Sequence, residues 1–318
     1  MTIDWTKDPY MSELADANTA VQTAMNDLRV TQKSIPPITV DPKDNLFGVP
    51  DNKINFTEYT IPDRSDKPFV ELYLEFYLTE TGLNRRGRLK ELAVALVPSL
   101  ALMEDFYIFQ MSDKSNALRD KGHPNYQGPA HVNITNWQLE DGYRDYGLLS
   151  EAHPRDSSDY DWTKVSKPIH VPLSADDSET LWGVNTARAV LEGIGKLMDK
   201  KGIGNKGFAL FLPIKVWADA MLPISDDGPT TWSLIKPMGV DMEVLPCRVL
   251  PKDEGLLVNL VGDPIKIFYG QQPQVEPETV DRKYKFRLVE RVQYVVSDPR
   301  ALVLLKFEQP NHERRQQE

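Results

Sequence analysis

The chain has 318 residues, of which 41% are hydrophobic and 26% charged, a composition typical of folded globular proteins that excludes a wholly disordered chain. Its 37 basic and 47 acidic residues give a net charge of −10, which argues against a dedicated nucleic-acid binder, because such proteins usually carry a basic surface. The single cysteine, Cys247, excludes an internal disulfide and any multi-cysteine metal site. The polar, acidic N-terminus does not look like a signal peptide, so we expect a cytoplasmic protein.

The first part of the chain predicts two helices that flank an exposed segment and a strand. Apolar residues at spacings of three and four predict a helix over 12–33. Residues 41–68 are rich in proline and charge, and they predict an extended, exposed excursion. Strict alternation of apolar and polar residues predicts a strand over 70–78. A long helix follows over 88–109, and Pro98 is expected to kink it.

The second part of the chain begins with an irregular, histidine-rich region over 112–172. A second long helix is predicted over 176–201, with Gly202 at the position of a C-terminal cap. Further predicted elements are strands at 208–212, 240–245, 256–261, 284–296 and 301–307, and a short helix at 214–221.

No pattern in the sequence predicts an active site. The glycines of Gly202–Gly207 have the spacing of a dinucleotide-binding loop, but they follow a helix and precede a strand, the reverse of the order that such a site needs. Four histidines, His123, His131, His153 and His170, match no compact metal-ligand motif. The sequence therefore predicts no catalytic residue, no metal, no cofactor and no enzyme activity.

The predicted strand 284–296 has two different faces. Its even positions are apolar except for Glu290. Its other face is basic, and it includes Lys285, Arg287 and Arg291, with Lys283 just before the strand. We favour a solvated or intersubunit face over contact with an acidic partner or nucleic acid.

Four stretches along the chain carry a resemblance to a known family of proteins. They are Pro68–Leu78 followed by Arg86-Gly87, Met103–Phe109, Gly202–Leu210, and a C-terminal set of Gly262-Asp263, Tyr269–Gln271 and Val295–Phe307. In this order, over residues 12–308, the chain resembles tailed-phage capsid proteins of the HK97-like type. In detail it resembles the encapsulin shell proteins, the linocin/bacteriocin-like family.

The resemblance implies an α+β fold, the phage major-capsid (HK97-like) fold. Its parts would be an N-terminal helix, an extended loop, a peripheral domain with a spine helix, and an axial domain. The implied limits are 1–46 for the N-terminal helix and arm, 47–69 for the extended loop, 70–121 for the strand and spine helix, 122–261 for the axial domain with a longer insert at about 112–180, 262–308 for C-terminal strands of the peripheral domain, and 309–318 for a polar tail.

The resemblance also implies a function, that of a structural subunit of an encapsulin nanocompartment. Many copies would assemble into a closed icosahedral cage in the cytoplasm, which would enclose a cargo enzyme and admit small molecules through pores. The implied partners are further copies of the chain and a cargo such as a ferritin-like protein or a peroxidase, bound through its C-terminal peptide; neither a membrane nor nucleic acid is expected. The implied cargo-binding wall is lined by the N-terminal helix and a strand at 263–270, with Met25, Leu28, Ile265, Ile267 and Tyr269 as its cargo-binding residues.

The chain departs from the family at three places. Gln110-Met111 stands where the family usually has glycine, the segment 112–180 is longer, and Lys33–Ile38 replaces a more basic and apolar arm. Two alternatives stay open at this point. One is a phage or prophage major capsid protein that packages DNA, and the other is a soluble enzyme that uses the histidine-rich region 112–172.

Overall fold

The computed structural model describes twelve stretches of the chain. They are residues 10–39, 70–83, 85–110, 148, 169–172, 182–201, 207–223, 227–235, 241–251, 254–280, 283–296 and 301–308. The extended loop predicted at 47–69, most of the insert predicted at about 112–180 and the tail 309–318 lie outside these residues.

Helices and strands alternate irregularly along the chain. The described helices are α1 (Tyr10–Leu28), α2 (Glu80–Leu83), α3 (Arg88–Gln110), α4 (Trp182–Lys201), α5 (Ile214–Met221) and α6 (Thr231–Ile235), with a 3-10 turn at Thr31–Lys33. The described strands are β1 (Ile38–Thr39), β2 (Val70–Leu78), β3 (Ile169–Pro172), β4 (Phe208–Pro213), β5 (Met242–Cys247), β6 (Glu254–Asn259), β7 (Ile265–Val280), β8 (Lys283–Val296) and β9 (Leu302–Glu308).

The chain divides into two units, and each contains one sheet. Unit 1 comprises residues 1–147 and 266–295, and unit 2 comprises residues 148–265 and 296–318. The sheet of unit 1 has the strand order β1-β7-β8-β2. β1 runs parallel to β7, and β2 runs antiparallel to β8.

The strand predicted at 70–78 is confirmed with both of its ends, because its alternation matches a sheet with one buried face. Leu72, Leu74, Phe76 and Leu78 are buried, while Tyr77 on the other face is exposed. Phe76 lies opposite Phe286 of β8, and their rings stack with centroids 5.3 Å apart. Such aromatic pairs across strands add to the stability of a sheet and fix its register.

The core of unit 1 is built around α3. Its residues from Met103 to Phe109 are all buried, and Pro98 lies inside the helix, as the sequence predicts. α3 packs against α1 and β2. The segment Arg88–Phe109 is long and apolar enough to cross a membrane, but 61% of its most hydropathic window is buried inside the protein, as in the core helix of a folded domain.

α1 is shorter than the sequence predicts. The helix expected over 12–33 ends at Leu28, and the 3-10 turn Thr31–Lys33 follows it. Ala17, Val21 and Met25, spaced by four, form its buried stripe. The chain then reaches Pro36 and Pro37, which cannot continue a helix because they lack the backbone N–H group.

The sheet of unit 2 has the strand order β3-β9-β6-β4-β5. β6 runs antiparallel to both of its neighbours, β4 and β9. Every residue of β4 is buried, as expected for a central strand. Apolar side chains of α4, among them Val190, Ile194 and Leu197, belong to the same buried cluster as Leu257 of β6 and Val303 of β9.

The position of β9 corrects one sequence assignment. Residues 262–308 were assigned together to the peripheral domain, but Leu302–Glu308 pairs with β6 and β3 in the sheet of unit 2. The physical reason is that Leu302, Val303, Leu304 and Leu305 are apolar in succession and therefore fit a strand buried on both faces. The other domain limits stay predictions.

Candidate functional site

The most unusual group of side chains in the described residues is a charged cluster buried in unit 1. Arg29 follows α1, Glu104 lies on α3, Tyr269 on β7 and Glu290 on β8. None of the four is more than 1% exposed. Burying a charge costs free energy unless it is paired and hydrogen-bonded, so these side chains must satisfy one another.

Arg29 holds the cluster together through directed hydrogen bonds. Its Nε donates to Oε2 of Glu104 at 2.7 Å, and its Nη2 donates to Oε2 of Glu290 at 2.6 Å. The hydroxyl of Tyr269 donates to Oε1 of Glu104 in a short hydrogen bond. The Arg29 guanidinium also lies over the Tyr269 ring, 4.4 Å from its centroid, in a cation–π contact.

Gln32, in the 3-10 turn, closes the cluster on one side. Its amide oxygen accepts from Nε and Nη1 of Arg29, both at 2.9 Å, and lies 2.7 Å from the Tyr269 hydroxyl. The opposite orientation of the amide would bring its nitrogen against the guanidinium, donor against donor. The segment after α1 therefore supplies both the cation, Arg29, and a polar partner for it, Gln32.

The environment shifts the pKa of three members of the cluster. Burial raises the pKa of Glu290 well above its usual range, and the nearby charge of Glu104 raises it further, against the opposing effect of Arg29. Burial and the Glu104 carboxylate likewise raise the pKa of Tyr269. Burial alone would lower the pKa of Arg29, but Glu104 and Glu290 raise it overall, so Arg29 stays charged.

A second charged group lies on the other face of the unit 1 sheet, and it contains the basic residues of β8. Nη2 of Arg287 donates to Oε1 of Glu71 at 2.5 Å, and Nη2 of Arg291 to Oε2 of the same carboxylate at 3.0 Å. Lys285 contacts Glu75 at 2.7 Å and Glu278 at 2.9 Å. Three carboxylates of the sheet thus balance the charge of these three cations.

The interpretation of this face as a solvated or intersubunit surface stays a prediction. Arg287 also lies over the Tyr73 ring, 4.1 Å from its centroid. Burial raises the pKa of Glu71, but hydrogen bonds and charge from Arg287 and Arg291 more than offset this and hold it below its usual range. The side chain of Lys283 lies outside the described residues.

The residues assigned to cargo binding do not form an exposed surface in the chain. Met25, Ile265, Ile267 and Tyr269 are buried, and Leu28 is half-buried. The Tyr269 hydroxyl is engaged with Glu104. Since a peptide needs accessible side chains, burial argues against direct contact at these four residues, and the cargo assignment stays a prediction.

The remaining sequence candidates are mostly outside the part of the chain that the structure describes. His123, His131 and His153 lie there entirely, and only the backbone of His170 is described, in β3. Within the described residues, no group of three histidine, cysteine or acidic side chains is placed to hold a metal ion. Cys247 is buried at the end of β5.

Sequence patterns contained two signals for the buried cluster. Glu290 is the one charged residue on the apolar face of its strand, and Glu104 lies inside the apolar stretch Met103–Phe109. A lone charged residue on an apolar face indicates a buried partner of opposite charge. Arg29 gives no such signal, because it follows the helix at a position where arginines are commonly solvated.

The comparisons with known proteins place the fold. No family model and no curated protein matches the sequence. Among solved structures, a virus-like particle from Pyrococcus furiosus matches with a TM-score of 0.52 and 12% identity, over 94% of this chain and 100% of that one. Mycobacterium phage Bobi gives a TM-score of 0.48 and 13% identity over 76% of this chain and 73% of that one. The capsid of an empty GTA particle gives a TM-score of 0.45 and 16% identity over 76% of this chain and 73% of that one.

The match to the virus-like particle identifies the fold, since it extends over nearly the whole of both chains. The protein has an α+β fold of the HK97-like capsid type. At 12% identity, this likeness is one of fold alone.

Proposed function

We propose that this protein is a structural shell subunit, many copies of which assemble into a closed cage. The observation that carries the proposal is the fold: all of the chain from the Pyrococcus furiosus virus-like particle is matched by 94% of this chain. An architecture shared from end to end places the same parts in the same order, which repeated subunit contacts require. The extended excursion predicted from the sequence over 41–68 would contact a neighbouring copy in such a cage.

More specifically, we propose an encapsulin-type nanocompartment in the cytoplasm, as the sequence resemblance implies. The charges of the unit 1 sheet support a cage that does not package nucleic acid. Lys285, Arg287 and Arg291 would be the natural contacts for phosphates, but Glu71, Glu75 and Glu278 already neutralise them. The net charge of −10 also argues against a cage that packages nucleic acid, because nucleic acid is itself negatively charged.

The test of assembly is negative-stain electron microscopy of the full chain after size-exclusion chromatography, with absorbance at 260 and 280 nm read on the same fraction. Uniform hollow spheres with a protein-like absorbance ratio are expected. Spheres with nuclease-resistant nucleic acid would instead support the phage-capsid alternative. A monomer at all concentrations, in the presence and absence of a co-expressed cargo, would contradict a shell function.

The proposed cargo is an enzyme such as a ferritin-like protein or a peroxidase, held by its C-terminal peptide. Cargo genes are commonly neighbours of the shell gene, so co-expression with an adjacent gene product is the direct experiment. Co-purification that is lost when the last residues of the cargo are deleted would support the proposal. Alanine at Ile267 or Tyr269 is not a clean test of binding, because both side chains are buried in unit 1.

A further inference from the structure

The buried cluster fastens the end of the N-terminal helix to the rest of unit 1. Arg29 lies directly after α1, and its two carboxylate partners belong to α3 and β8, which are 75 and 261 positions away in the chain. Further upstream, polar side chains of α1 bind the same unit through hydrogen bonds from backbone N–H groups. The side-chain amide oxygen of Asn18 accepts a hydrogen bond from the backbone N–H of Val275 at 2.6 Å. Oε1 of Glu13 accepts from the backbone N–H of Gly87 at 3.3 Å.

The charges of the cluster do not balance when every group takes its ordinary state at neutral pH. Glu104 and Glu290 contribute −2 and Arg29 contributes +1, which leaves −1 inside the protein. Asp105, next to Glu104, is also fully buried and adds to the negative field at Glu290. A site of low dielectric does not hold an unbalanced carboxylate, so it retains a proton instead.

Geometry places that proton on Glu290. Oε2 of Glu290 accepts from Arg29, whereas its buried Oε1 has no hydrogen-bond partner among the described residues. Glu104, by contrast, accepts on both oxygens, from Arg29 and from Tyr269. Both carboxylate oxygens of Glu104 are thus hydrogen-bonded, so the proton belongs to Glu290.

We infer that Arg29, Glu104, Tyr269 and Glu290 form a proton-dependent latch, which holds the end of α1 on unit 1 while one proton is bound and loosens when that proton is lost. The groups that face Glu290 are Arg29 from the segment after α1, Glu104 and Asp105 from α3, and Tyr269 from β7. Of these, only Arg29 is a cation. Loss of the proton therefore leaves Arg29 to face the carboxylates of both Glu104 and Glu290, in the negative field of Asp105, and separation of α1 from the sheet admits the water that the extra charge needs.

The direction of the pH dependence follows from proton linkage. Because the pKa of Glu290 is raised in the folded state, the folded state binds more protons than the open state at pH values above the ordinary glutamate pKa. Its stability is fully present below the ordinary pKa and is lost as the pH rises through the raised pKa. For one proton, the opening equilibrium constant rises up to tenfold for each pH unit in this window.

Hydrogen–deuterium exchange on the full chain tests the latch. Protection factors, corrected for the intrinsic pH dependence of exchange, would be followed from pH 5 to pH 9 in peptides from α1 and, as an internal reference, from α4 of unit 2. In the wild-type protein, protection of residues 20–33 is expected to fall with rising pH by up to tenfold per unit. In Glu290→Gln, which keeps the neutral form of the side chain, it is expected to stay constant.

Two further variants make the result decisive. Glu104→Gln also restores the charge balance, and it is expected to flatten the pH profile if Glu290→Gln fails to fold. Glu91→Gln alters an exposed carboxylate on the same helix, where the side chain is 57% exposed, and it should keep the wild-type profile. Parallel profiles for the wild type and whichever neutral variant folds would overturn the latch. This inference does not depend on whether the chain assembles into a shell.

Discussion

The Arg29 guanidinium and the Glu290 carboxyl group lie 2.6 Å apart in the interior of unit 1, although 261 positions separate them in the chain. Since neither side chain is exposed to water, the pair cannot exchange its contact for solvent without opening the unit. Such a pair is not strong evidence of net stabilisation, because the cost of desolvation can exceed the attraction. It does make each partner costly to remove alone.

Replacing Arg29 with methionine is therefore expected to destabilise unit 1 by about 3–5 kcal/mol, because the buried carboxylate of Glu104 loses its cation and the buried carboxyl group of Glu290 loses its hydrogen-bond donor. Urea unfolding, followed by hydrogen exchange of unit 1 peptides, measures the change. Arg88→Met is the matched control, since Arg88 forms an exposed ion pair with Glu91 at 2.9 Å, and such pairs contribute about 1 kcal/mol or less. Equal effects of the two substitutions would show that the cluster is not needed for folding.

The carboxylate of Glu71 gives unit 1 an acid-sensitive contact. Because the pKa of Glu71 is lowered in the folded state, its contribution is present above the ordinary glutamate pKa and is lost as the pH falls through the lowered value. Glu71→Gln is expected to cost about 1 kcal/mol at pH 7 and little at a pH below both values, since the wild-type carboxyl is then also neutral. Urea midpoints at the two pH values check this, and a deficit that is the same at both would contradict it.

Local patterns predicted several elements of the fold well. The strand 70–78 and the short helix 214–221 are confirmed with both ends. The strand alternates apolar and polar residues with period two, and the helix carries a stripe of apolar residues. Such patterns depend only on neighbouring residues, so the sequence alone predicts where each element begins and ends. β7 was predicted only as 263–270, but it extends to Val280, because Glu276 and Glu278 on a half-exposed face weaken the strand signal.

Long-range pairing was harder to predict. β9 is apolar on both faces, so its sequence fits either sheet, and only its pairing with β6 and β3 decides between them. The buried cluster has the same difficulty, since Arg29, Glu104 and Glu290 each appear as single charges and no local pattern pairs them. The residues assigned to cargo binding were expected on a surface because of the resemblance, whereas four of the five, all except Leu28, are buried.

Two adjacent residues of β2 test the register of the unit 1 sheet. Phe76 is 9% exposed and stacks on Phe286, whereas Tyr77 is 55% exposed on the opposite face. Phe76→Ala is expected to cost about 3–5 kcal/mol, because it leaves a cavity and removes the ring pair. Tyr77→Ala is expected to cost less than about 1 kcal/mol in the isolated subunit. A larger loss for Tyr77→Ala than for Phe76→Ala would mean that the two faces of the strand are exchanged.

Gly207, just before β4, is expected to tolerate no side chain. Its φ is +68°, and an added Cβ would lie 2.2 Å from the backbone oxygen of Asp241, which also accepts from the N–H of Phe208 at 2.8 Å. Gly207→Ala must therefore move β4 relative to the chain entering β5, and we expect a loss of about 3 kcal/mol or more in the free energy of unfolding, or failure to fold.

Gly195→Ala is the control, since a Cβ there meets nothing within 4 Å and the residue lies inside α4. It should stabilise unit 2 by about 0.5–1 kcal/mol. Thermal unfolding of both variants measures the difference, and a harmless Gly207→Ala would show that the close approach to Asp241 is not needed in the folded protein.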